Sequence, residues 1–229
     1  PDDDSCLRRI RALVDQMGAP PAPRFSRIAS ERPAYSPGEI YGIFSSDPAR
    51  HYDMREIIAR IVDGGKWEEY RAEYGETLLC GYARIGGWAV GIVANQPAVL
   101  AGCLDVDAAD KATRFIRFCD AFNLPLLTIA DVPGYLPGSD QEHRGIIRHG
   151  AKLLWCYSEA TVPKVTLITR KDYGGSYLAM CSRDLGADLV LAWPTAEIAV
   201  MGAEGAATVI FRKEIPAAAD PQAKRQEVI

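Results

Sequence analysis

The sequence lacks the patterns of several large protein classes. Its six cysteines are scattered without a Cys-x-x-Cys pair, and its three histidines form no metal-ligand motif. We therefore expect no metal and no disulfide framework, and expect the cysteines to be reduced core or boundary residues. No apolar run approaches the ~20 residues that span a bilayer, and no signal peptide opens the chain. These absences predict a cytoplasmic protein, or one of the mitochondrial matrix in a eukaryote, without a membrane partner.

The net charge and the absence of two common motifs exclude further classes of protein. The formal net charge of −4 provides no basic footprint for nucleic acid. The sequence has neither the glycine-lysine loop that holds ATP phosphates nor the Gly-x-Ser-x-Gly turn of serine hydrolases. Repeats and low-complexity tracts are also missing, so the 229 residues suit one large α/β domain.

The N-terminal segment differs from the rest of the chain. Apolar residues recur at helical spacing over residues 5–17, and Gly18 then ends the helix. Ala19-Pro-Pro-Ala-Pro23 cannot continue a helix and predicts a stiff linker. We therefore divide the chain into residues 1–30, a helix with its linker, and residues 31–229, the main domain. Nothing nearby covers the apolar helix face, so we expect a partner outside this chain to do so.

The main domain alternates strand and helix patterns. The predicted elements are a helix marked by Met54, Ile57, Ile58 and Ile61, a hairpin of Leu78 to Arg84 and Trp88 to Ala94, a short strand near Val99 to Cys103, a helix after Asp107 to Asp110, strand 126–130, helix 141–158, strand 164–169, helix 175–185, strand 188–192 and a helix from about Glu204 to Phe211. Such alternation predicts a parallel sheet with helical crossovers. Pattern alone gives an α/β fold and nothing finer.

One predicted strand runs into a loop rich in glycine. Residues 126–130 are apolar, and Pro133-Gly134 and Pro137-Gly138 then force turns. Ser139 or Asp140 can cap the helix that follows. That helix is expected to bury one face, made of Ile147, Ala151 and Leu154.

A second strand repeats this arrangement. The β-branched run at residues 164–169 is followed by Gly174-Gly175 at a helix start. Parallel strands that end in such loops place the free helix amides at the same edge of the sheet. These could be ordinary strand-to-helix connections, or the amides could converge as an oxyanion hole. An amide-rich pocket with few titratable groups suits reactions in which negative charge builds up on oxygen, such as an enolate or a urea oxyanion.

Five motifs follow one another along the chain. They are Asp131-Val-Pro-Gly-Tyr-Leu-Pro-Gly138, Gly145-Ile-Ile-Arg-His-Gly-Ala-Lys152, Glu159-Ala-Thr-Val-Pro163, Tyr173-Gly-Gly-Ser-Tyr177 and Ala192-Trp-Pro-Thr-Ala-Glu-Ile-Ala-Val-Met-Gly202. They resemble the carboxyltransferase subunits of biotin-dependent acyl-CoA carboxylases. The best match is to the C-terminal half of the propionyl-CoA carboxylase β subunit, over residues 33–211.

This resemblance implies a crotonase-like spiral of β-β-α units. It also implies transfer of CO₂ from carboxybiotin to the α-carbon of propionyl-CoA or acetyl-CoA. The missing N-terminal half, which holds coenzyme A in the family, is an implied partner. Because the chain has no Met-Lys-Met biotinylation motif, biotin must be on a separate carrier subunit, served by a biotin carboxylase. The family further implies a homo-oligomer, a hexamer, and a chain that is incomplete alone.

The resemblance also assigns roles to site residues. Gly138 and Ser139 would supply one amide-donor position, and Gly174 and Gly175 the other, as the catalytic groups. Four more residues are candidate substrate contacts, namely Asp140, Tyr135, Tyr173 and Tyr177. Asp140 adjoins the first donor pair, where the resemblance implies discrimination of short acyl groups, although an N-cap role is an alternative. Core packing is an equally good explanation for the tyrosines.

Two other functions remain open at this point. The same half-reaction serves a decarboxylase or transcarboxylase that acts on methylmalonyl-CoA or a related acyl-CoA. A non-catalytic crotonase-like assembly scaffold belongs to a different class, but it would not need two sets of free amides. Asp172 and Arg183 depart from the residues that the resemblance leads us to expect, which leaves the substrate undecided.

Overall fold

The computed structural model describes residues 2–18, 25–45, 47 and 50–229, so the linker predicted at residues 19–23 lies outside it. The helices are α1 Asp3–Met17, α2 Ile40–Ile43, α3 Met54–Ile61, α4 Val106–Ala121, α5 Ser139–His143, α6 Ile146–Glu159, α7 Gly174–Ala179, α8 Ala203–Ile210, α9 Glu214–Ala217 and α10 Pro221–Val228. The strands are β1 Trp67–Glu69, β2 Leu78–Ile85, β3 Trp88–Asn95, β4 Leu126–Val132, β5 Lys164–Tyr173, β6 Leu189–Ala192 and β7 Glu197–Ala199.

The strands form one mixed sheet in the order β1-β2-β3-β4-β5-β6, and β7 pairs with the end of β5. The first three strands are antiparallel, and β3 to β6 are parallel. The predicted hairpin is confirmed: Gly86 and Gly87 make its turn at φ of 59° and 81°. Positive φ at both central residues matches the twist of a two-residue hairpin turn.

Each face of the sheet carries its own apolar core. Helices α4, α6 and α7 pack on one face around fully buried Phe115, Leu153 and Tyr157. Helix α3 covers the other face with Met54 and Ile57. Because β4 and β5 lie between both layers, they read as near-continuous apolar runs in the sequence.

Helix α1 is confirmed, with an Asp2 side chain as N-cap and Gly18 at the C-terminus with φ 72°. Its apolar stripe is left largely exposed by the residues that the structure describes. Leu7 is 50 % exposed and Val14 is 56 % exposed. Burying such a stripe is what normally stabilises an amphipathic helix, so α1 presents an uncovered face.

The helix predicted at residues 141–158 is interrupted. Gly145 adopts a left-handed conformation with φ 83° and separates α5 from α6. The predicted N-cap was also wrong, because Gly138 holds the N-cap position and no side chain caps α5. Ser139 and Asp140 instead form the first turn.

The buried face of α6 differs from the predicted one. Ile146, Gly150 and Leu153 face the core, whereas Ile147 is 85 % exposed. Both stripes are apolar, and they differ by a shift of one position along the helix. Of the predicted face, Ile147 and Ala151 are exposed and Leu154 is half-buried against the core, and together they form an apolar wall at its edge.

Four smaller expectations were also wrong. A single 3₁₀ turn, Leu100–Gly102, replaces the strand near residues 99–103. Asp105 caps α4, which begins at Val106, so residues 107–110 lie inside the helix. The helix expected over residues 175–185 ends at Ala179, and a separate 3₁₀ turn, Arg183–Leu185, follows. Cys6 is exposed on α1, although the other five cysteines are buried or half-buried.

Within the described part of the chain, no helix combines the length and apolarity needed to cross a bilayer.

Candidate active site

A buried polar network anchors the loops at the carboxyl ends of β3, β4 and β5. Asp131 Oδ2 lies 3.0 Å from a guanidinium nitrogen of Arg170 and accepts a hydrogen bond from Tyr52 at 2.8 Å. The Asp131 amide donates to Asn95 Oδ1 at 3.2 Å. Arg170 also donates to two carbonyl oxygens, those of Asp47 and Arg50. A network satisfied in this way fixes the start of the loop that leaves β4.

That loop is held by backbone pairing as well. Leu104 donates to Gly134 O at 3.0 Å, and Leu136 donates back to Leu104 O at 2.8 Å. Tyr135 lies between Gly134 and Leu136, and this pairing directs its side chain towards α6 and α7. A Cβ atom on Gly150 would lie 2.7 Å from the Tyr135 ring. Only glycine at this position of α6 permits the contact.

The Tyr135 ring joins the two predicted donor loops. A Cβ atom built on Gly175 would lie 3.9 Å from Tyr135 Cε2, which is ordinary van der Waals contact. Tyr135 itself belongs to the loop that ends at Gly138. The ring therefore connects the loop that ends at Gly138 with the Gly174-Gly175 turn. The Tyr135 hydroxyl is buried without a hydrogen-bond partner among the described residues, and burial raises its pKa to about 12.

Three helices begin at this edge without a capping side chain. Their N-cap residues are Gly138 for α5, Gly145 for α6 and Tyr173 for α7, and none of them accepts from the helix amides. Among the other described helices, α1, α3, α4 and α10 have an aspartate cap, whereas α2, α8 and α9 also lack a capping side chain. The first amides of a helix have no intrahelical acceptor, so uncapped starts leave donors for a ligand oxygen.

Two adjoining apolar cavities of about 350 Å³ each lie beside these donors. Tyr135, Ile146 and Ile147 line both of them. One cavity extends to Gly175 and Leu178, and the other to Gly138 and Glu142. Cavities of this size and polarity suit small-molecule groups.

Sequence reasoning missed most of the cavity wall, including Leu178 and Ile147. Leu178 lies three residues after Gly175 and therefore on the same side of α7. Ile147 was assigned to the core because its stripe could not be distinguished from that of Ile146. The i,i+3 spacing from Gly175 is a signal that could have identified Leu178.

The other predicted contacts lie outside these cavities. Asp140 is exposed, and its Oδ2 accepts a hydrogen bond from Gln141. Tyr173 is buried and donates to the Glu197 carboxylate. Tyr177 is half-buried against the core. The packing alternative therefore describes the surroundings of both tyrosines, and Asp140 is not the N-cap.

The two glycines of the second donor loop differ in what they tolerate. Gly174 has φ 59°, and a Cβ atom there would lie 3.1 Å from the Val200 carbonyl oxygen. Gly175 has no such restriction, because a small side chain there would meet only the Tyr135 ring. A substitution at Gly175 can therefore fill the cavity without straining the backbone.

Replacing Gly150 with alanine is expected to destabilise the protein. The added methyl overlaps the Tyr135 ring, and overpacking of this kind typically costs about 1–3 kcal/mol. Thermal or urea unfolding measures the effect. Combining Gly150→Ala with Tyr135→Ala removes the overlap, so the two losses should not add. Additive losses in that cycle would contradict the contact.

Asp172 is a buried carboxyl group at the end of β5. Its side chain is 1 % exposed, and Oδ1 has no partner among the described residues. Burial raises the pKa of Asp172 to about 7, and the charge of Asp131 adds to the rise. Arg183, the other unexpected residue, is exposed beyond α7.

This raised pKa predicts how stability depends on pH. The folded state binds the proton more tightly than the unfolded chain, where an aspartate pKa is about 3.9. The resulting stabilisation is complete below about pH 4 and is lost as pH rises through 7, with a limit of about 4 kcal/mol. Asp172→Asn should flatten this slope in urea unfolding between pH 4 and 8. The exposed Asp184→Asn is the control, and an unchanged slope in Asp172→Asn would refute the assignment.

Comparison with known proteins identifies the family. The model of the carboxyl transferase domain matches residues 1–229. The chain is 62 % identical over 191 residues to the methylmalonyl-CoA carboxyltransferase 12S subunit of Propionibacterium freudenreichii subsp. shermanii, covering 83 % of this chain and 36 % of the relative. It is 60 % identical over 221 residues to a putative propionyl-CoA carboxylase beta chain of Bacillus subtilis, covering 96 % of this chain and 42 % of the relative.

A third relative is the methylmalonyl-CoA decarboxylase subunit alpha of Propionigenium modestum. It is 54 % identical over 229 residues, and the match covers 99 % of this chain and 44 % of the relative. The chain thus spans less than half the length of these relatives.

Solved structures agree with this result. The transcarboxylase 12S crystal structure, described as a hexamer with methylmalonyl-coenzyme A and methylmalonic acid bound, superposes with a TM-score of 0.82. Its sequence identity is 59 %, over 88 % of this chain and 39 % of that chain. The crotonase-like fold implied by the five motifs is thereby confirmed, and this chain belongs to the carboxyl transferase domain family.

Proposed function

We propose that this chain is the C-terminal half-site of a biotin-dependent carboxyltransferase. The reaction is transfer of CO₂ from carboxybiotin to the α-carbon of a short acyl-CoA, propionyl-CoA or acetyl-CoA. The observation that supports the proposal is the position of Tyr135, a residue of the Gly138 loop whose ring meets Gly175 and lines both apolar cavities.

The chemistry follows from these amides and their surroundings. Biotin on its carrier supplies the CO₂, and its fused ring and ureido group suit an apolar cavity bordered by N–H donors. Gly138 and Ser139 supply one donor position, and Gly174 and Gly175 the other. Each stabilises negative charge on an oxygen of the reacting groups, and the apolar wall strengthens this by excluding water. No side-chain nucleophile is required.

Residues around the donors are assigned to substrate contact. Tyr135 lines both cavities directly, and Leu178 and Ile147 complete the apolar wall. Asp140, Tyr173 and Tyr177 are assigned a weaker role, in shaping the donor loops.

The direction of the reaction is a matter for the partner subunits. Relatives named as a methylmalonyl-CoA carboxyltransferase subunit and as a methylmalonyl-CoA decarboxylase subunit are 62 % and 54 % identical to this chain. A decarboxylase or transcarboxylase acting on methylmalonyl-CoA is therefore the second candidate. An assembly scaffold is the third, but uncapped helices beside apolar cavities argue against it.

Several partners follow from this proposal. They are an N-terminal carboxyltransferase half that holds coenzyme A, a biotin carboxylase, a biotin carrier and further copies of the chain in a hexamer. Exposed Ile147, Trp155 and the stripe of α1 would be covered in that assembly. The proposed location is the cytoplasm, or the mitochondrial matrix in a eukaryote.

The division into residues 1–30 and 31–229 also stays a proposal. The exposed face of α1 supports a separate N-terminal element. Ile28, however, donates to Gly87 O at 3.0 Å, which associates the last residues before the boundary with the main domain.

The half-reaction tests the proposal. The protein, assembled with its N-terminal half, is given methylmalonyl-CoA or malonyl-CoA with and without free biotin, and CO₂ release is followed. Turnover that depends on biotin supports a carboxyltransferase, and the preferred substrate identifies the acyl group. An equal rate of CO₂ release with and without biotin, in a complete assembly, would overturn the proposal.

A further inference from the structure

A second cleft lies on another face of α6 from the apolar cavities. It encloses about 540 Å³ between α4, α6 and the segment after β1. Its charged wall residues are Arg71, Arg114, Arg117, Lys152 and Asp110. This local excess of three positive charges occurs in a chain whose formal net charge is −4. The proposed carboxyl transfer uses none of these residues.

The arginines of this cleft lack anionic partners. Asp110, the one carboxylate among the wall residues, already accepts a hydrogen bond from Lys152 Nζ at 3.1 Å. The guanidinium groups of Arg71, Arg114 and Arg117 form no hydrogen bond or ion pair with any residue that the structure describes. Like charges three positions apart on a helix repel each other, so a bound anion would stabilise this arrangement.

The cleft is also preorganised. Arg71 has a left-handed backbone with φ 50°, and its guanidinium lies 5.3 Å from the Tyr70 ring centroid and 5.9 Å from that of Tyr74. Gly75 packs so closely on α4 that a Cβ atom would lie 2.8 Å from the Ala108 nitrogen. Backbone strain in a non-glycine residue persists only where the surroundings enforce it, and such residues cluster at ligand sites. The loop therefore holds Arg71 in place against α4.

The chemistry of the wall indicates the ligand. Guanidinium groups bind phosphate oxygens through paired, charge-assisted hydrogen bonds, and three of them match the charge of a diphosphate. The concave shape and the volume suit a small molecule. We propose that this cleft binds a small molecule carrying a diphosphate group, held by Arg71, Arg114 and Arg117. Free pyrophosphate, a nucleoside diphosphate and a diphosphate-bearing coenzyme share that chemistry.

Titration calorimetry of the protein in its native assembly tests this proposal. The probes are pyrophosphate, ADP and coenzyme A, at about 50 and 200 mM salt, since screening weakens charge-based binding. Because the N-terminal half is proposed to hold coenzyme A as well, only binding that the double arginine variant removes is assigned to the cleft. We expect the probe that binds most tightly to identify which kind of molecule supplies the diphosphate group. The double variant Arg114→Gln with Arg117→Gln should lower affinity by at least about tenfold. Arg212→Gln, an exposed arginine far along the chain, should leave it unchanged.

The outcomes separate this site from the carboxyltransferase site. Gly175→Val, which fills the apolar cavity, should not alter binding in the cleft, so either proposal can fail alone. Absence, for all three probes, of any binding that depends on Arg114 and Arg117 would overturn the diphosphate site, as would an equal loss in Arg212→Gln. Tighter binding of an oligoglutamate peptide than of pyrophosphate would also overturn it, in favour of an acidic protein partner.

Discussion

Replacing Gly175 with valine is expected to lower biotin-dependent turnover by a factor of about 10²–10³. A Cβ atom built on Gly175 lies only 3.9 Å from the Tyr135 ring. The larger valine side chain would therefore fill the cavity beside Tyr135 and push the two donor loops apart. Loss of one oxyanion donor typically reduces turnover by this factor. The measurement is the biotin-dependent decarboxylation rate of the assembled protein with each acyl-CoA.

Gly175→Ala is the matched control for that variant. The position has an ordinary backbone conformation, and a methyl group there makes only van der Waals contact with Tyr135. We expect folding close to that of the parent protein in both variants and a much smaller loss of turnover for alanine. Equal turnover for valine and the parent protein would contradict the assignment of this loop.

Replacing Arg170 with methionine is expected to lower the free energy of unfolding by about 3–5 kcal/mol. Arg170 and Asp131 have side chains that are 4 % and 1 % exposed, so the change leaves an unpaired carboxylate in the interior. It also releases the carbonyl oxygens of Asp47 and Arg50. Urea unfolding at pH 7 measures the loss, and turnover should fall with it because Asp131 anchors the Gly138 loop.

Two further variants test the cause of this loss. Adding Asp131→Asn to Arg170→Met removes the buried charge and should recover part of the stability. Lys66→Met breaks the exposed pair with Glu31, whose side chains are 79 % and 61 % exposed, and should change stability by less than about 1 kcal/mol. If Lys66→Met were as harmful as Arg170→Met, burial would not be the cause.

Local sequence was sufficient to predict the units that build the site. The apolar runs at residues 126–130 and 164–169 are strands, and the glycine pairs lie where those strands give way to helices. Both signals are local, because a strand needs its apolar residues and a tight turn needs its glycines in consecutive positions.

Long-range contacts decide what the sequence could not. Strand β5 continues to Tyr173 past the charged residues at which it was expected to end, because Asp131 neutralises Arg170 inside the protein. Gly150 fits against the Tyr135 ring, and this contact places the Ile146 stripe of α6, not the Ile147 stripe, against the core. The spacing of apolar residues in the sequence does not contain that information. The basic cleft likewise combines Arg71 with two arginines from a distant helix.

The central claim is that the backbone amides of the two glycine loops contact the ligand directly. Amide hydrogen exchange of the assembled protein, measured with and without biotin, tests it most directly. We predict slower exchange at residues 138–139 and 174–175 when biotin is bound, and loss of that protection in Gly175→Val. Protection confined to other segments, with these four amides unchanged, would contradict the account.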